Sequence, residues 1–536
     1  MTMQRRSFLK LGAAAGTAAA FGFDASQKLM AQGRDATLRV LAEGLANSLD
    51  PMATGNNREA LALAWNVYDR LLTFDRMPYP HGGFVSEYFK LKPQLAEKWD
   101  VSADGKQITF HLRKDAKFHD GTPVTADDVK WSLDRAVVMP TTKNIYSTGL
   151  MTSADQFVIV DQHTVRIDLP RGNSKVLPLL GFVYSAVYNS KLAKANATKE
   201  DPFAAAWLKQ NAAAGGAYKV VTHDPAQQVV LERNEAWVVD KKPYFQRVVS
   251  RLSQEPSSRI AGVVRGSADI ATYIPPKDME ALSTNKELKL MTMPMENAFH
   301  FLGMNSQMAP FDNVKIRQAV AYAVPYKDLF NGVMFGRGQL LTSNPKLRGK
   351  LQFPPAQNYE TNLDKARALL KEAGVPEGFE TTFTYNSGDT IYAEPTAVLV
   401  QEALARIGIR VVINKVPNSQ YGQLMVEKKV PFFYEVSATL LLDPDYGFQI
   451  FYTGNTRFNF GSLKSEEMVS LIDKAAKERD KVTYDGYVKR MIEIASDEVP
   501  MIMLWNPAID SPLRNDIDGY TYTFHRGIDF RPLSRV

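Results

Sequence analysis

Stretches of two-residue apolar period and stretches of helical spacing succeed one another along nearly all of this 536-residue chain, with no short internal repeat. Residues 37–41, 107–113, 215–221, 228–234 and 409–413 read as strands. Residues 58–72, 126–136, 259–265, 314–323, 363–372 and 392–407 carry apolar residues at helical spacing. Thr125 stands where an N-cap is needed, and Asp127 and Asp128 follow in the first turn, where the helix dipole favours acids. Gly374 with Pro376, and Gly408, stop two later helices. Such interleaving requires sheets covered by helices, so the expected class is mixed α/β. At about 150 residues per domain the length suggests three to four domains' worth of chain.

The N-terminus reads as an export leader. Arg5-Arg6-Ser7-Phe8-Leu9-Lys10 precedes a charge-free run from Leu11 to Phe23. That run is shorter than the ~20 apolar residues a membrane span needs. The string resembles a bacterial twin-arginine signal, with Gln4 where that signal carries Ser or Thr. Residues 1–31 are therefore expected to be a cleaved signal, and the mature chain to be periplasmic after twin-arginine export. The leader holds four of the Lys/Arg residues and one acid, so the formal charge of +6 falls to +3 without it. With no long basic run, no nucleic-acid partner is expected.

The missing chemistries narrow the function further. Cysteine is absent, which removes disulfides, thiolate metal sites and cysteine nucleophiles. The seven histidines, His81, His111, His119, His163, His223, His300 and His525, form no His-Glu-x-x-His or other close pair. There is no Gly-x-Ser-x-Gly elbow and no phosphate-binding loop. No catalytic residues, resident metal or cofactor are expected. A periplasmic hydrolase is the rival class, and copper on the alternating Met291, Met293 and Met295 is weighed against an ordinary hinge or core strand.

Several segments then resemble one family. Leu91-Lys92-Pro93-Gln94-Leu95-Ala96-Glu97-Lys98-Trp99, Lys117-Phe118-His119-Asp120-Gly121, Ala126-Asp127-Asp128-Val129 and Ser132-Leu133-Asp134-Arg135 are similar to the signature block of extracellular solute-binding proteins of the peptide/nickel class. Gly216-Ala217-Tyr218-Lys219-Val220, Gly303-Met304-Asn305, Pro310-Phe311-Asp312-Asn313-Val314 and Asp443-Pro444-Asp445 follow in the same order. The resemblance implies a two-lobed periplasmic-binding-protein fold with a hinge and an inserted third domain. Lobe I would comprise 36–79, 206–290 and 501–536, the insert 80–205, and lobe II 291–500, with hinge crossings near Thr292 and Pro500. It also implies a small-molecule or peptide ligand, a partner permease with its ATPase in the inner membrane, and a monomeric receptor.

The ligand site would lie between the lobes. The resemblance implies Asn47, Ser48 and Trp505 on the lobe I side, and Asn386, Ser437, Thr439, Leu440, Asp443 and Tyr446 on the lobe II side. Glu435 is a candidate for a cationic ligand group and Arg457 for an anionic one. Nine aromatics within 431–460 suit either one wall of an apolar cleft or a lobe core. In peptide receptors an aspartate shortly before the Asp-Pro segment holds the peptide ammonium. Here Leu440 occupies that place, Ser437 stands where Trp is common, and 387–390 lacks the arginine that would take a carboxylate. A peptide-like solute, an opine, an oligosaccharide and a nickel chelate all remain open as ligands.

Overall fold

The computed structural model describes residues 36–79, 82–478, 480–523 and 527–536. The leader 1–31, His81 and His525 lie outside the described residues.

Two sheets organise the molecule. The first has seven strands in the order Leu288–Pro294, Ala508–Arg514, Ile270–Ala271, Thr37–Ala42, Arg247–Leu252, Gln228–Arg233, Tyr218–Asp224. The second has six, in the order Gln339–Leu340, Met501–Asn506, Ala298–Met304, Phe432–Ala438, Glu380–Asn386, Arg410–Val416. The chain passes from one sheet to the other between Pro294 and Ala298, and returns between Asn506 and Ala508. Pro507 alone separates two strands that pair in different sheets. Met291 and Met293 are buried on the strand before the first crossing, and Met295 is buried just after it.

Residues between the first and second portions of the seven-stranded sheet build a smaller unit. Its four strands run Ala96–Val101, Gln107–Leu112, Thr164–Asp168, Phe157–Asp161. The helix Ala126–Ala136 packs on it, capped where Asp128 Oδ2 accepts from the Thr125 N–H at 2.9 Å. A further sheet pairs Leu72–Pro78 and Phe84–Pro93 with the C-terminal strands Thr521–Thr523 and Gly527–Asp529. The tail thereby seals the base of this unit.

Helical spacing over 58–72 yields a helix only over Arg58–Val67. The Val67 carbonyl accepts from the Gly216 N–H at 2.9 Å, and a Cβ on Gly216 would lie 2.5 Å from that oxygen. This close backbone approach ends the helix, and the chain leaves as the strand Leu72–Pro78. In the six-stranded sheet, Gly303 makes room for its neighbour, since a Cβ there would come within 2.2 Å of the Phe433 ring. Eight of the nine aromatics in 431–460 are buried, while Phe458 is exposed. Most of them stack with Phe299, Phe301, Phe311, Phe353 or Phe383, so this segment is lobe core rather than a cleft wall.

Candidate functional site

The strand Phe432–Ala438 changes character along its length. Phe432, Phe433 and Tyr434 are buried, whereas 435–438 are half-buried. Its pairing with Ala298–Met304 places Glu435 opposite Phe301 and Ser437 opposite Phe299, on the same face as Phe433. The strand therefore carries one carboxylate out of an aromatic core toward the edge where the chain crosses between sheets.

Glu435 is poorly satisfied there. Its Oε1 accepts from the adjacent Val436 N–H, at 2.9 Å, and its buried Oε2 makes no hydrogen bond of good geometry among the described residues. Burial raises its pKa to about 7, with Asp389 adding to the rise. The Val436 N–H, the positive charge of Arg457 and the Tyr421 hydroxyl hold it down. Tyr421 donates its hydroxyl to the Tyr434 carbonyl at 2.7 Å, which keeps the phenol beside the carboxylate. Asp389 accepts from the Tyr392 N–H at 3.1 Å, at the start of the helix Ala393–Ala405. Arg457 is exposed on the loop after the helix Pro444–Tyr452. Around Glu435 the structure thus gathers Asp389, Tyr421 and Arg457. Tyr421 and Asp389 were not singled out by sequence reasoning, because no local pattern marks a helix tyrosine or a turn aspartate as neighbours of a strand some fifteen to forty-five residues later.

The other expected residues fall into distinct places. Ser437 is half-buried beside Glu435 on the same strand. Asn386 donates to Asn418 Oδ1 at 2.9 Å and accepts from the Gly388 N–H at 3.0 Å, shaping the turn at the same sheet edge. Thr439 is buried, and its backbone exchanges bonds with Asn297 at 2.8 and 2.7 Å, tying the strand to the first crossing. Leu440 is half-buried and packs against the larger core.

Asn47 and Ser48 are turned inward on their own loop. Asn47 exchanges bonds with the helix N-cap Asn57 at 3.2 and 3.1 Å and donates to Gly55 O at 2.9 Å. Ser48 is buried, with its hydroxyl bonded within the turn to Asp50. Trp505, expected on the lobe I side, belongs to the six-stranded sheet. It is fully buried between His300 and Phe330, because the strand Met501–Asn506 pairs with Ala298–Met304 before the chain returns.

Asp443, Asp445 and Tyr446 face the smaller unit. Asp443 is the N-cap by position, yet its side chain caps nothing. Tyr88 donates its hydroxyl to Asp443 Oδ2 at 2.7 Å. Asp445 pairs with Lys175 at 2.6 Å, both buried, and accepts from the Tyr484 hydroxyl at 2.9 Å. Tyr446 is buried in the core shared with that unit. These contacts form a clasp between the smaller unit and the start of the helix Pro444–Tyr452. A second bridge lies at the crossings, where Arg337 Nη1 donates to Thr292 Oγ1 at 2.6 Å and to Asp510 Oδ1 at 3.2 Å. Among the described residues no three His, Cys, Asp or Glu side chains come together as a metal cluster.

Two sheets joined by a double crossing, with a third unit clasped to them, define a hinged, two-lobed architecture. Residues 90–459 match the family model of bacterial extracellular solute-binding proteins, family 5 Middle, and the chain belongs to that family. It is 28% identical over 374 residues to the probable D,D-dipeptide-binding periplasmic protein DdpA of Escherichia coli, covering 69% of each chain. It is 25% identical to the dipeptide-binding protein of the same organism, covering 90% of this chain and 92% of that one. The solved structure of the periplasmic binding protein DppA from Helicobacter pylori, in complex with the peptide STSA, superposes with a TM-score of 0.74 at 23% identity. That likeness covers 95% of this chain and 99% of the other and is one of fold.

Proposed function

We propose that this chain is the ligand-capturing receptor of an ATP-binding-cassette importer. It closes two lobes over a small organic solute, peptide-like or opine-like, and hands it unaltered to an inner-membrane permease. Closure is selected by whatever contacts the solute makes in the shut state and not in the open one. The receptor works in the periplasm as a monomer, reaches it by the twin-arginine route, and turns over no substrate. Its lobes follow the sheets: 36–79, 206–290 and the tail around the seven strands, 291–500 with the following strand around the six, and 80–205 as the insert.

The observation that carries this reading is the half-satisfied carboxylate of Glu435, on the inner strand Phe432–Ala438 of the six-stranded sheet. A buried carboxylate oxygen without a donor is costly to maintain in a finished structure. A ligand ammonium or guanidinium would supply the missing donor and the missing charge. Leu440, at the place of the peptide receptors' aspartate, argues that the cation is met by Glu435 instead. Thermal-shift measurement against dipeptides, opines, oligosaccharides and nickel chelates tests the reading, because a ligand in excess of its Kd raises Tm. Cationic solutes are expected to give the largest shifts, and Glu435→Gln to abolish them. Equal shifts in the variant would reject Glu435 as the anchor.

A further inference from the structure

A cavity lies in the lobe of seven strands, beside the inserted unit. It measures about 650 Å³, a size that fits a small organic molecule. It is walled by the helix Arg58–Val67, the strands Leu72–Pro78 and Phe84–Pro93, the loop 234–246 and the C-terminal tail. No residue of 298–506 lines it, so it belongs wholly to the seven-stranded lobe and the inserted unit.

Its lining is strongly cationic. Arg76, Lys92, Arg233, Lys241, Lys242 and Arg531 face two acids, Asp240 and Asp529. Part of this charge is compensated: Arg531 pairs with Asp529 at 2.7 Å, Lys92 with Asp240 at 3.3 Å, and Arg233 and Lys242 share Glu235 at 2.7 and 3.5 Å. Among the described residues the Arg76 guanidinium meets only the Thr521 hydroxyl, at 3.2 Å, and the Phe84 ring. Lys241 is exposed and makes no ion pair among the described residues. Positive charge is therefore left over at the mouth.

The floor is built rather than incidental. Trp65 has two guanidinium groups near its ring, Arg70 at 4.0 Å from the centroid and Arg531 at 5.9 Å. Arg70 is fully buried, and its Nε and Nη2 have no hydrogen-bond partner among the described residues. Burial and the neighbouring Arg531 charge pull its pKa down to about 9. Asp69 and Asp529 stand against the two guanidinium groups there, so the floor offers the unmet Arg70 donors behind an aromatic surface rather than surplus charge. Trp237 is held by its indole N–H donating to Asp69 at 2.9 Å, and Tyr244 lies at the rim.

We propose that this cavity is a second binding site, for a small organic polyanion carrying two or more carboxylate or phosphate groups. The rim lysines and Arg76 meet the charged groups, and the Trp65 and Tyr244 rings cover the carbon skeleton. An occupant would bridge the lobe and its insert, independently of the solute held between the lobes.

The test is titration calorimetry of the mature protein with two probes, citrate and pyrophosphate, at low and high salt. At least one should bind one-to-one and saturably, and weaken as salt rises. The double variant Lys241→Glu, Lys242→Glu changes only exposed side chains and should bind that probe at least about tenfold more weakly, with an unchanged Tm in its absence. Which probe binds tighter assigns the carboxylate or phosphate class. Glu435→Gln should leave this binding untouched, which separates the site from the interlobar one. Absence of binding by both probes below about 1 mM at low salt overturns the proposal. So does equal binding by the double variant, or loss of binding in Glu435→Gln.

Discussion

Arg135 grips Asp50 through two N–H groups, Nη1 to Oδ1 at 3.0 Å and Nη2 to Oδ2 at 2.5 Å, with both side chains fully buried. The Tyr188 hydroxyl donates to the same Oδ1 at 2.7 Å. Asp50 belongs to the loop after the first strand of the seven-stranded sheet, and Arg135 to the main helix of the inserted unit. The pair is thus the polar core of the joint between lobe and insert. Breaking a buried pair on one side strands the other charge, which costs roughly 3–5 kcal/mol. Arg135→Ala should lower unfolding free energy by about that amount in urea titration. Arg135→Ala together with Asp50→Ala should cost less than the two single changes summed, because neither charge is then left alone.

Glu435 makes stability and binding depend on pH in opposite senses. Its carboxyl pKa is raised from 4.5 to about 7 in the folded protein. A raised acid contributes stability that is complete below about pH 4.5 and is lost as pH climbs through 7. The groups facing it, Asp389, Tyr421, Tyr434 and Arg457, leave this direction unchanged. Unfolding measured from pH 4.5 to 7.5 should show wild type losing roughly 2–3 kcal/mol relative to Glu435→Gln. A curve parallel to that of the variant would remove Glu435 as the titrating group. Affinity for a cationic solute should rise over the same interval, with proton release on binding visible by calorimetry in buffers of different ionisation enthalpy.

Lys175 and Asp445 test the clasp. Both are buried, and the pair joins the insert to the lobe of six strands. Lys175→Ala leaves Asp445 with the Tyr484 hydroxyl alone. Since this contact exists only when the units touch, the variant should favour the open form and speed ligand release by about tenfold or more. Stopped-flow release rates and small-angle scattering of the free protein read the two effects. Unchanged release with a wild-type scattering profile would make the pair a passive contact.

Arg337 offers a fourth check, at the crossings. It donates to Asp510, which is nearly inaccessible and whose Oδ2 lacks a partner among the described residues. Burial already raises the Asp510 pKa, while Arg337 and the Thr292 hydroxyl hold it down. Removing the guanidinium strands the carboxylate. Arg337→Ala should cost about 2–4 kcal/mol at pH 7 and distinctly less at pH 4, where Asp510 takes up a proton. A loss equal at both pH values would assign the effect to packing.

Local pattern carried the elements well and their partners poorly. The helices Ala126–Ala136, Val314–Ala323 and Leu363–Glu372 begin and end where Thr125, Asn313, Asn362 and the spacing of apolar residues require. The helix at 58 stops five residues early because Gly216, nearly 150 residues on, claims the Val67 carbonyl. The family was legible because its motifs are strings of neighbouring residues. Individual site residues were harder. Asp443 has the sequence of a cap, yet Tyr88, 355 residues earlier, takes its carboxylate. Asn47 and Ser48 are ligand candidates on the family resemblance alone, and nothing in the sequence marked the bonds that their polar atoms make within their own loop. Glu435 was visible as a candidate, but its missing donor depends on Phe301, Asp389 and Tyr421 converging from three other elements, and no linear pattern records that convergence.

Native mass spectrometry of the mature protein, incubated with the solute that gives the largest thermal shift, addresses capture without chemistry most directly. The account predicts a one-to-one complex whose mass is the sum of its parts, and release on denaturation of a solute of unchanged mass after prolonged incubation. A returned molecule of altered mass, or no complex with any peptide, opine, sugar or chelate tried, would contradict it.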